Sequence, residues 1–440
     1  MDDRNMKNNS NDYCDLDALK KDENDKQGGG KKGLFVSGVI VGMAGALLIL
    51  CAVYLGVRIQ NMVELKGSGL FSNGTVFSED SAISADVVRK LQLLEKTIDE
   101  YFYLREVTDE ELEEGLYRGL LEALEDPYSE YYTAEELNEL MSQTEGIYYG
   151  IGAYVSLDEA TSLPKISGVI DGTPAQEAGL RDNDLIYEID GISAYGLTLT
   201  EAVSMIKGEE HTEVTLTIIR LGESDDLTFV IPRRRVESPT VNYEMMENNM
   251  AYIQITEFDD VTVDQFTDAL ATMKGSGMEG LILDLRANPG GNLTSVVEIA
   301  RRLLPKGMIV YTENKGGKRE EYTCDGKRQL TVPLVVLVDM NSASASEILA
   351  GAIQDYGIGT LVGTTTFGKG IVQQIIPFSD GSAVKVTISS YYTPNGRNIH
   401  GTGIEPDVVC EFDAVAYYDT EDPVDNQLEK AKEVLMGMME

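Results

Sequence analysis

Residues 333–350 read P-L-V-V-L-V-D-M-N-S-A-S-A-S-E-I-L-A: an apolar run, a turn of small residues and the start of a helical pattern. The run 334–338 predicts a buried strand, and 345–356 predicts a helix. A strand, a tight turn and a helix form the unit from which α/β layers are built. The same geometry exposes a serine hydroxyl over a helix N-terminus, where free backbone N–H groups can hold an oxyanion. Ser344-x-x-Glu347 is also a capping box, so the serine has a purely structural alternative.

Outward from this unit the alternation continues. Strands are expected at 251–256, 281–286, 360–363, 371–377 and 383–391, and helices at 262–274 and 293–304. Upstream, at 146–235, the period changes to short β runs (150–155, 165–169, 185–189, 214–220) with one helix at 200–207. Further upstream, Leu91, Leu94 and Ile98 recur at helical spacing, as do Leu112, Leu116, Leu120 and Leu124, until Asp126-Pro127 stops the pattern. The reading therefore divides the chain into a tail (1–32), an apolar run (33–57), a Gly/Ser-rich linker (58–84), a helical module (85–145), a β-rich domain (146–235), an α/β core (236–415) and a C-terminal helical tail (416–440) expected to face solvent.

The chain has 440 residues and a net charge of −38. Such a surface repels phosphate backbones and argues against nucleic acid as a partner. Four cysteines without a C-x-x-C pair argue against a zinc cage or a disulfide-dense scaffold. Cys324 and Cys410 could pair only if the fold brings their Cα atoms close enough. The 25 uncharged residues 33–57 suffice to cross ~30 Å of hydrocarbon as a helix. Lys31 and Lys32 before the run and Arg58 after it orient the short N-terminus to the cytoplasm and the remainder outside the cytoplasmic membrane. A cleaved signal peptide is the alternative, but the run exceeds a typical apolar core of ~7–15 residues and no A-x-A site follows.

Residues 363–370, G-T-T-T-F-G-K-G, nearly match a phosphate-cradling loop, but Gly370 stands where a hydroxyl would hold Mg²⁺. A nucleotide-using enzyme is thereby disfavoured. His211 and His400 are the only histidines, both in polar stretches without a convincing acid beside them, so a Ser–His–Asp system has weak support. A lysine base remains. It must be neutral to accept a proton, so its pKa must fall from ~10.4 towards ~7–8, which corresponds to about 4 kcal/mol of disfavoured charge. Lys369, between two glycines and followed by Ile371 and Val372, can be buried in this way. Gln373 is four residues on; in an unbroken strand its amide lies on the same face and can orient the amine.

N-S-A-S-A-S-E-I (341–348), F-G-K-G-I-V-Q (367–373) and D-L-R-A-N-P-G-G (284–291) together resemble the carboxy-terminal processing peptidases, PDZ-containing serine proteases with a Ser–Lys dyad. The D-P-Y-S-E-Y-Y-T string at 126–133 and G-T-G-I-E-P-D at 401–407 extend the likeness over about residues 85–412. The resemblance implies a layered, crotonase-like α/β core with an inserted PDZ domain. It implies Ser344 as nucleophile, Lys369 as general base and Gln373 as its support, with Gly290 and Ala345 N–H groups as oxyanion hole. T-P-A-Q-E-A-G-L-R-D-N-D-L-I-Y-E-I-D-G (173–191) is similar to bacterial PDZ sequences. Tyr149, Gly150, Ile151 and Gly152 then stand as the carboxylate-binding loop, and Ala202, Val203 and Ile206 as the groove helix. The implied protein is a membrane-anchored serine endopeptidase that takes apolar C-terminal tails and needs no metal or cofactor. A homodimer or a regulatory partner is compatible with this. The rival is a catalytically inert, membrane-tethered PDZ scaffold.

Overall fold

The computed structural model describes residues 82–418 and 423–440. The expected membrane span at 33–57 lies outside them. Among the described residues, no helix is long and apolar enough to cross a membrane. The chain divides into two compact units, 1–106 and 107–440. In the first, helix α1 (Ala85–Tyr101) starts on Ser84, whose hydroxyl accepts from the Val87 N–H, and buries none of its residues.

The second unit opens with α2 (Asp109–Glu122), β1 (Glu130–Tyr132) and α3 (Ala134–Glu145). Thr108 and Thr133 each start their helix with a capping box to the glutamate three residues on. The helical pattern concealed β1, whose partner lies far along the chain at residues 383–385.

A β-rich domain follows: β2 (Ile147–Gly150), β3 (Ala153–Leu157), β4 (Pro164–Val169), α4 (Pro174–Ala178), β5 (Leu185–Ile189), β6 (Ile192–Ser193), α5 (Leu199–Ile206), β7 (Glu213–Ile219), β8 (Leu227–Pro232) and β9 (Arg234–Glu237). Strands β3-β4-β5-β7-β8 make an antiparallel sheet around fully buried Ile166, Ile186, Ile189, Leu216, Ile218 and Ile231. The single strand expected at 150–155 is broken at Gly152. Its φ is +82°, and a Cβ there would lie 2.3 Å from Thr173 Cβ, so only glycine fits. β2 and β9 pair as a two-stranded ribbon that carries the chain into and out of this domain.

The core comprises β10 (Val241–Met245), β11 (Met250–Ile255), α6 (Thr262–Gly275), β12 (Gly280–Asp284), α7 (Leu293–Ala300), β13 (Gly307–Asn314), β14 (Arg319–Cys324), β15 (Leu334–Val338), α8 (Ala345–Tyr356), β16 (Thr360–Gly363), β17 (Ile371–Pro377), β18 (Ala383–Tyr392), β19 (Val408–Val409), α9 (Ala414–Tyr418) and α10 (Asn426–Met439). Its main sheet has the order β10-β11-β12-β15-β16-β19, parallel except for β10. Every residue of β12 and β15 is buried, which explains the apolar runs 281–283 and 334–338. Phe266, Leu270, Val296, Ile299, Leu349 and Ile353 from α6, α7 and α8 pack with Leu281, Leu283 and Val336 in one core cluster.

The C-terminal helix corrects the expectation of a solvent-facing tail. Ala431 and Leu435 of α10 are fully buried and pack with Ile282, Val335 and Leu337 of the sheet. Arg286 fastens the helix start: its guanidinium donates to Asp425 (2.8 and 3.0 Å) and to Asp284 (2.7 Å). A second sheet holds β17 against one side of β18, and β1 and β13 against the other, with β14 beyond β13. Cys324 and Cys410 are both free thiols, so the disulfide considered above is not formed.

Candidate active site

The nucleophile candidate sits on a tightly bonded turn. Asp339, at the end of β15, accepts through Oδ1 from the N–H groups of Ala287, Asn341 and Ser342, all at 3.0 Å. One carboxylate thus joins the loop after β12 to the turn before α8. Asn288 completes the junction: its carbonyl accepts from Ala343 N–H (3.0 Å) and Ser346 Oγ (3.0 Å), and its amide donates to the Ile255 carbonyl (2.8 Å).

Within this frame Ser344 has φ +52° and ψ −110°, a region disfavoured for L-residues at a cost of roughly 1–3 kcal/mol. The turn forces it there so that α8, 12 residues long, can start at Ala345. Ser344 Oγ makes no helix-cap bond; the Glu347 N–H donates to the Ser344 carbonyl at 2.9 Å. The reciprocal half of the capping box, Ser344 N–H to the Glu347 carboxylate, is formed at 2.8 Å. Gly290 approaches closely: a Cβ there would lie 2.8 Å from Ser344 Cβ and 2.9 Å from Ala345 N. Gly290 and the Ala345 N–H thus flank Ser344, although the Gly290 N–H at present donates to Asn288 Oδ1 (2.8 Å).

Glu347 is the residue that sequence reasoning placed only as a helix cap. Its carboxylate is fully buried and accepts four hydrogen bonds: from Ser344 N–H (2.8 Å), Thr366 Oγ1 (2.6 Å), Gly368 N–H (2.7 Å) and Lys369 N–H (2.9 Å). A single carboxylate so fastens the backbones of both Ser344 and Lys369. The S-x-x-E spacing was its signal, but the partners at 366–369 come only with the tertiary fold. Tyr391 adds a second tie. Its N–H donates to the Gly370 carbonyl and its hydroxyl to the Ser344 carbonyl, each at 3.0 Å.

The Lys369 side chain is half-buried, and its Nζ lies 4.4 Å from the centroid of the Tyr128 ring. Burial pushes this amine below the usual lysine range; neighbouring Lys385 lowers it further, and Asp126 and Glu130 oppose. Its flanking glycines are structural. A Cβ on Gly368 would lie 2.9 Å from Gly403 N, and one on Gly370 would lie 2.6 Å from His400 N. The glycines that imitate a phosphate loop serve this close packing.

Gln373 departs from its expected position. Its amide donates to Thr387 Oγ1 (3.2 Å), not to Lys369. Lys369 and Gln373 would share a face only in one strand running from 369 to 373. In the structure β17 starts at Ile371, and its pairing with β18 slips by one residue between Val372 and Gln373. His211 is exposed, and His400 is exposed on the loop that packs against Gly370. Among the described residues, no group of three or more His, Cys, Asp or Glu could hold a metal ion.

In the β-rich domain, Tyr149 is exposed, Gly150 is buried, and Ile151 packs into the domain core. Of the three helix residues read as groove lining, Ala202 and Ile206 are buried in that core, because i and i+4 face the sheet. Val203 between them is half-buried. Arg233 closes the end of α5 by donating to the carbonyls of Met205 and Ile206, both at 2.9 Å. The next residue, Lys207, places its Nζ 5.5 Å from the Tyr148 ring centroid, beside the 149–152 loop. Among the described residues, β3 pairs only with β4, so its other edge is open next to α5.

Comparison with known proteins places these features. Residues 249–410 match the model of peptidase family S41, 165–220 that of the PDZ domain, and 48–136 that of the activating protease CtpB N-terminal domain. The chain is 36% identical to the carboxyl-terminal-processing protease of Synechocystis sp., over 78% of this chain and 81% of that protein. It is 35% identical to the carboxy-terminal processing protease CtpA of Bacillus subtilis, over 77% of this chain and 72% of the relative. Among solved structures, the photosystem II D1 C-terminal processing protease aligns at 29% identity and a TM-score of 0.44, over 72% of this chain and 86% of that one.

Proposed function

This chain belongs to the carboxy-terminal processing proteases of peptidase family S41, and on that premise we propose that it cleaves peptide bonds with Ser344 as nucleophile and Lys369 as general base. It is a serine-type endopeptidase with a PDZ domain, and its substrates are peptides or proteins. Ser344 Oγ attacks the carbonyl carbon while neutral Lys369 Nζ takes the hydroxyl proton. The proton then passes to the leaving amine, and water releases the acyl-enzyme. The Ala345 N–H, at the start of α8, receives the oxyanion, joined by the Gly290 N–H as it exchanges Asn288 Oδ1 for the substrate oxygen. The supporting observation is Glu347, one buried carboxylate bonded to the backbone of both reacting residues.

Tail recognition is assigned to the PDZ domain. An apolar C-terminal segment adds along the open edge of β3. Its carboxylate meets the 149–152 loop, with Lys207 as the nearby cation. We also place residues 33–57 as a single span of the cytoplasmic membrane, with the catalytic part outside; the uncharged run and its flanking Lys31, Lys32 and Arg58 support this.

The test compares cleavage and binding in the same proteins. Ser344→Ala should lose at least ~10⁴-fold in kcat against a tailed substrate while tail affinity stays unchanged. Lys369→Arg should be equally inactive, since guanidinium does not deprotonate in proteins. Cleavage that survives Ser344→Ala would move the nucleophile elsewhere. Wild-type protein that binds tails and never cuts them would favour the inert scaffold.

A further inference from the structure

We propose that the ring of Tyr128 is the third partner of the dyad: its π face steadies the ammonium that Lys369 becomes on taking the Ser344 proton. The inference rests on the assignment of Ser344 and Lys369 above and deepens it by one positioning residue.

The sequence D-P-Y-S (126–129) builds the support for this ring. Asp126 Oδ1 accepts from the Tyr128 N–H (3.1 Å), an Asx turn, and Asp126 Oδ2 accepts from Ser129 Oγ (2.6 Å). Ser129 is buried, and its Oγ accepts from the Thr387 N–H (3.2 Å), which ties the turn to β18. Directly after the turn, β1 pairs with the same strand through Glu130↔Lys385, Tyr131↔Val384 and Tyr132↔Ala383. Anchored in this way, the half-buried Tyr128 ring has its centroid 4.4 Å from Lys369 Nζ. A cation at that distance lies well inside the ~6 Å range of attraction by an aromatic face.

The charges around the amine explain why a ring stands there. Asp126, Glu130 and Lys385 are the charged side chains that face Lys369. Both oxygens of Asp126 are taken up by its own turn, and Glu130 accepts from Lys385 Nζ at 2.7 Å. Glu347 bonds the Lys369 N–H, and His400 lies exposed on the loop packed against Gly370. Lys369 Nζ itself makes no hydrogen bond or ion pair among the described residues. Two neighbouring lysines thus have opposite settings. Lys385 is partly buried, but its bonds to Glu130 and to the Tyr132 hydroxyl (2.6 Å) hold its amine above the usual lysine range. A carboxylate so placed on Lys369 would keep that amine charged and unable to act as base. The ammonium must nevertheless form. As the Ser344 Oγ–H bond breaks and the Oγ–C bond forms, the proton goes to Nζ and an electron pair to the carbonyl oxygen. In Ser–His–Asp enzymes a carboxylate steadies the cation at this moment. An aromatic face does so more weakly, and leaves burial in control of the resting amine.

The test replaces Tyr128 in the full-length enzyme by phenylalanine and by mono-, di- and trifluorinated phenylalanine. These rings keep nearly one shape while fluorine drains the negative π face. Tyr128→Phe is the reference of the series, because it keeps the ring and removes only the hydroxyl. With each fluorine kcat should fall, to about three- to thirtyfold below the reference for the trifluorinated ring, while KM for a tailed substrate holds. The acid limb of kcat/KM should move to lower pH in step, since a weaker π face favours the neutral amine in the free enzyme. Unchanged tail affinity in the same proteins reports an intact fold. A ring that only fills space gives a flat series and a stationary limb, and that result overturns the proposal; so does a limb that moves to higher pH. A flat series with an inactive Ser344→Ala rejects the ring alone, whereas cleavage by Ser344→Ala rejects the dyad beneath it.

Discussion

In the turn at 339–348 the backbone is bonded from several sides, whereas the segment at 369–377 leaves an amine without a hydrogen bond and a strand edge without a paired strand among the described residues. Asp339, Glu347 and Tyr391 fasten the turn through their side chains and Asn288 through its backbone carbonyl. Lys369 shares one of these ties through its backbone, but its amine rests on the Tyr128 ring. The difference separates two demands. The nucleophile and the oxyanion donor must stand in place before substrate arrives, because preorganised dipoles act without reorganisation during the reaction. The base must give up a proton and take one back, which calls for a group held by packing and free to move by an ångström or so.

The contrast can be broken first at Glu347. Glu347→Gln places an NH₂ against two of its four donors, either Thr366 and Gly368 or Ser344 and Lys369, so the anchor shared by the turn and the lysine loop loses half of its bonds. Cleavage should fall about 100-fold, mostly in kcat, with tail affinity unaltered. A variant with wild-type turnover would show that the turn does not depend on this carboxylate.

A second substitution sharpens the contrast on the lysine side. Lys385 lowers the Lys369 amine through like-charge repulsion, so Lys385→Gln should raise it. Activity needs the neutral amine and is lost as pH falls through its pKa. The acid limb of kcat/KM should therefore shift to higher pH. A limb that stays in place or moves down would sever Lys369 from the titration.

The smallest effect on chemistry is expected on the opposite face of the sheet. Leu435→Ala deletes a fully buried side chain of α10 and should cost about 2–5 kcal/mol of stability in denaturant melts. The pH profile should keep its shape. A displaced profile would couple the C-terminal helix to the dyad.

How legible these regions were in the sequence follows the same division. β15, α8, β16 and β17 begin and end where apolar runs and Gly/Pro punctuation predict them. Their side chains are set mostly by local pattern and burial. β1 was hidden because three residues, E-Y-Y, become a strand only through pairing with β18. The β13–β14 hairpin was hidden because its charged, solvated edge blurs the alternation. The docking of α10 was present at Leu428, Ala431 and Leu435, but Glu429, Lys430, Lys432 and Glu433 outweighed it. Gln373 was misplaced because the strand that carries it begins only at Ile371, after Lys369. Ser344, Lys369, Gly290 and Ala345 are brought to one locality; Tyr128 and Asn288 stood inside the quoted motifs without an assigned task.

The ribbon of β2 and β9 sets entry and exit of the PDZ domain side by side, with Ile147 opposite Glu237 and Gly150 opposite Arg234. A module attached through one adjacent pair of ends is interchangeable: the threading of the catalytic layers does not depend on what is plugged in between. Grafting a different small domain at this socket would retarget the scissors without recutting the blades.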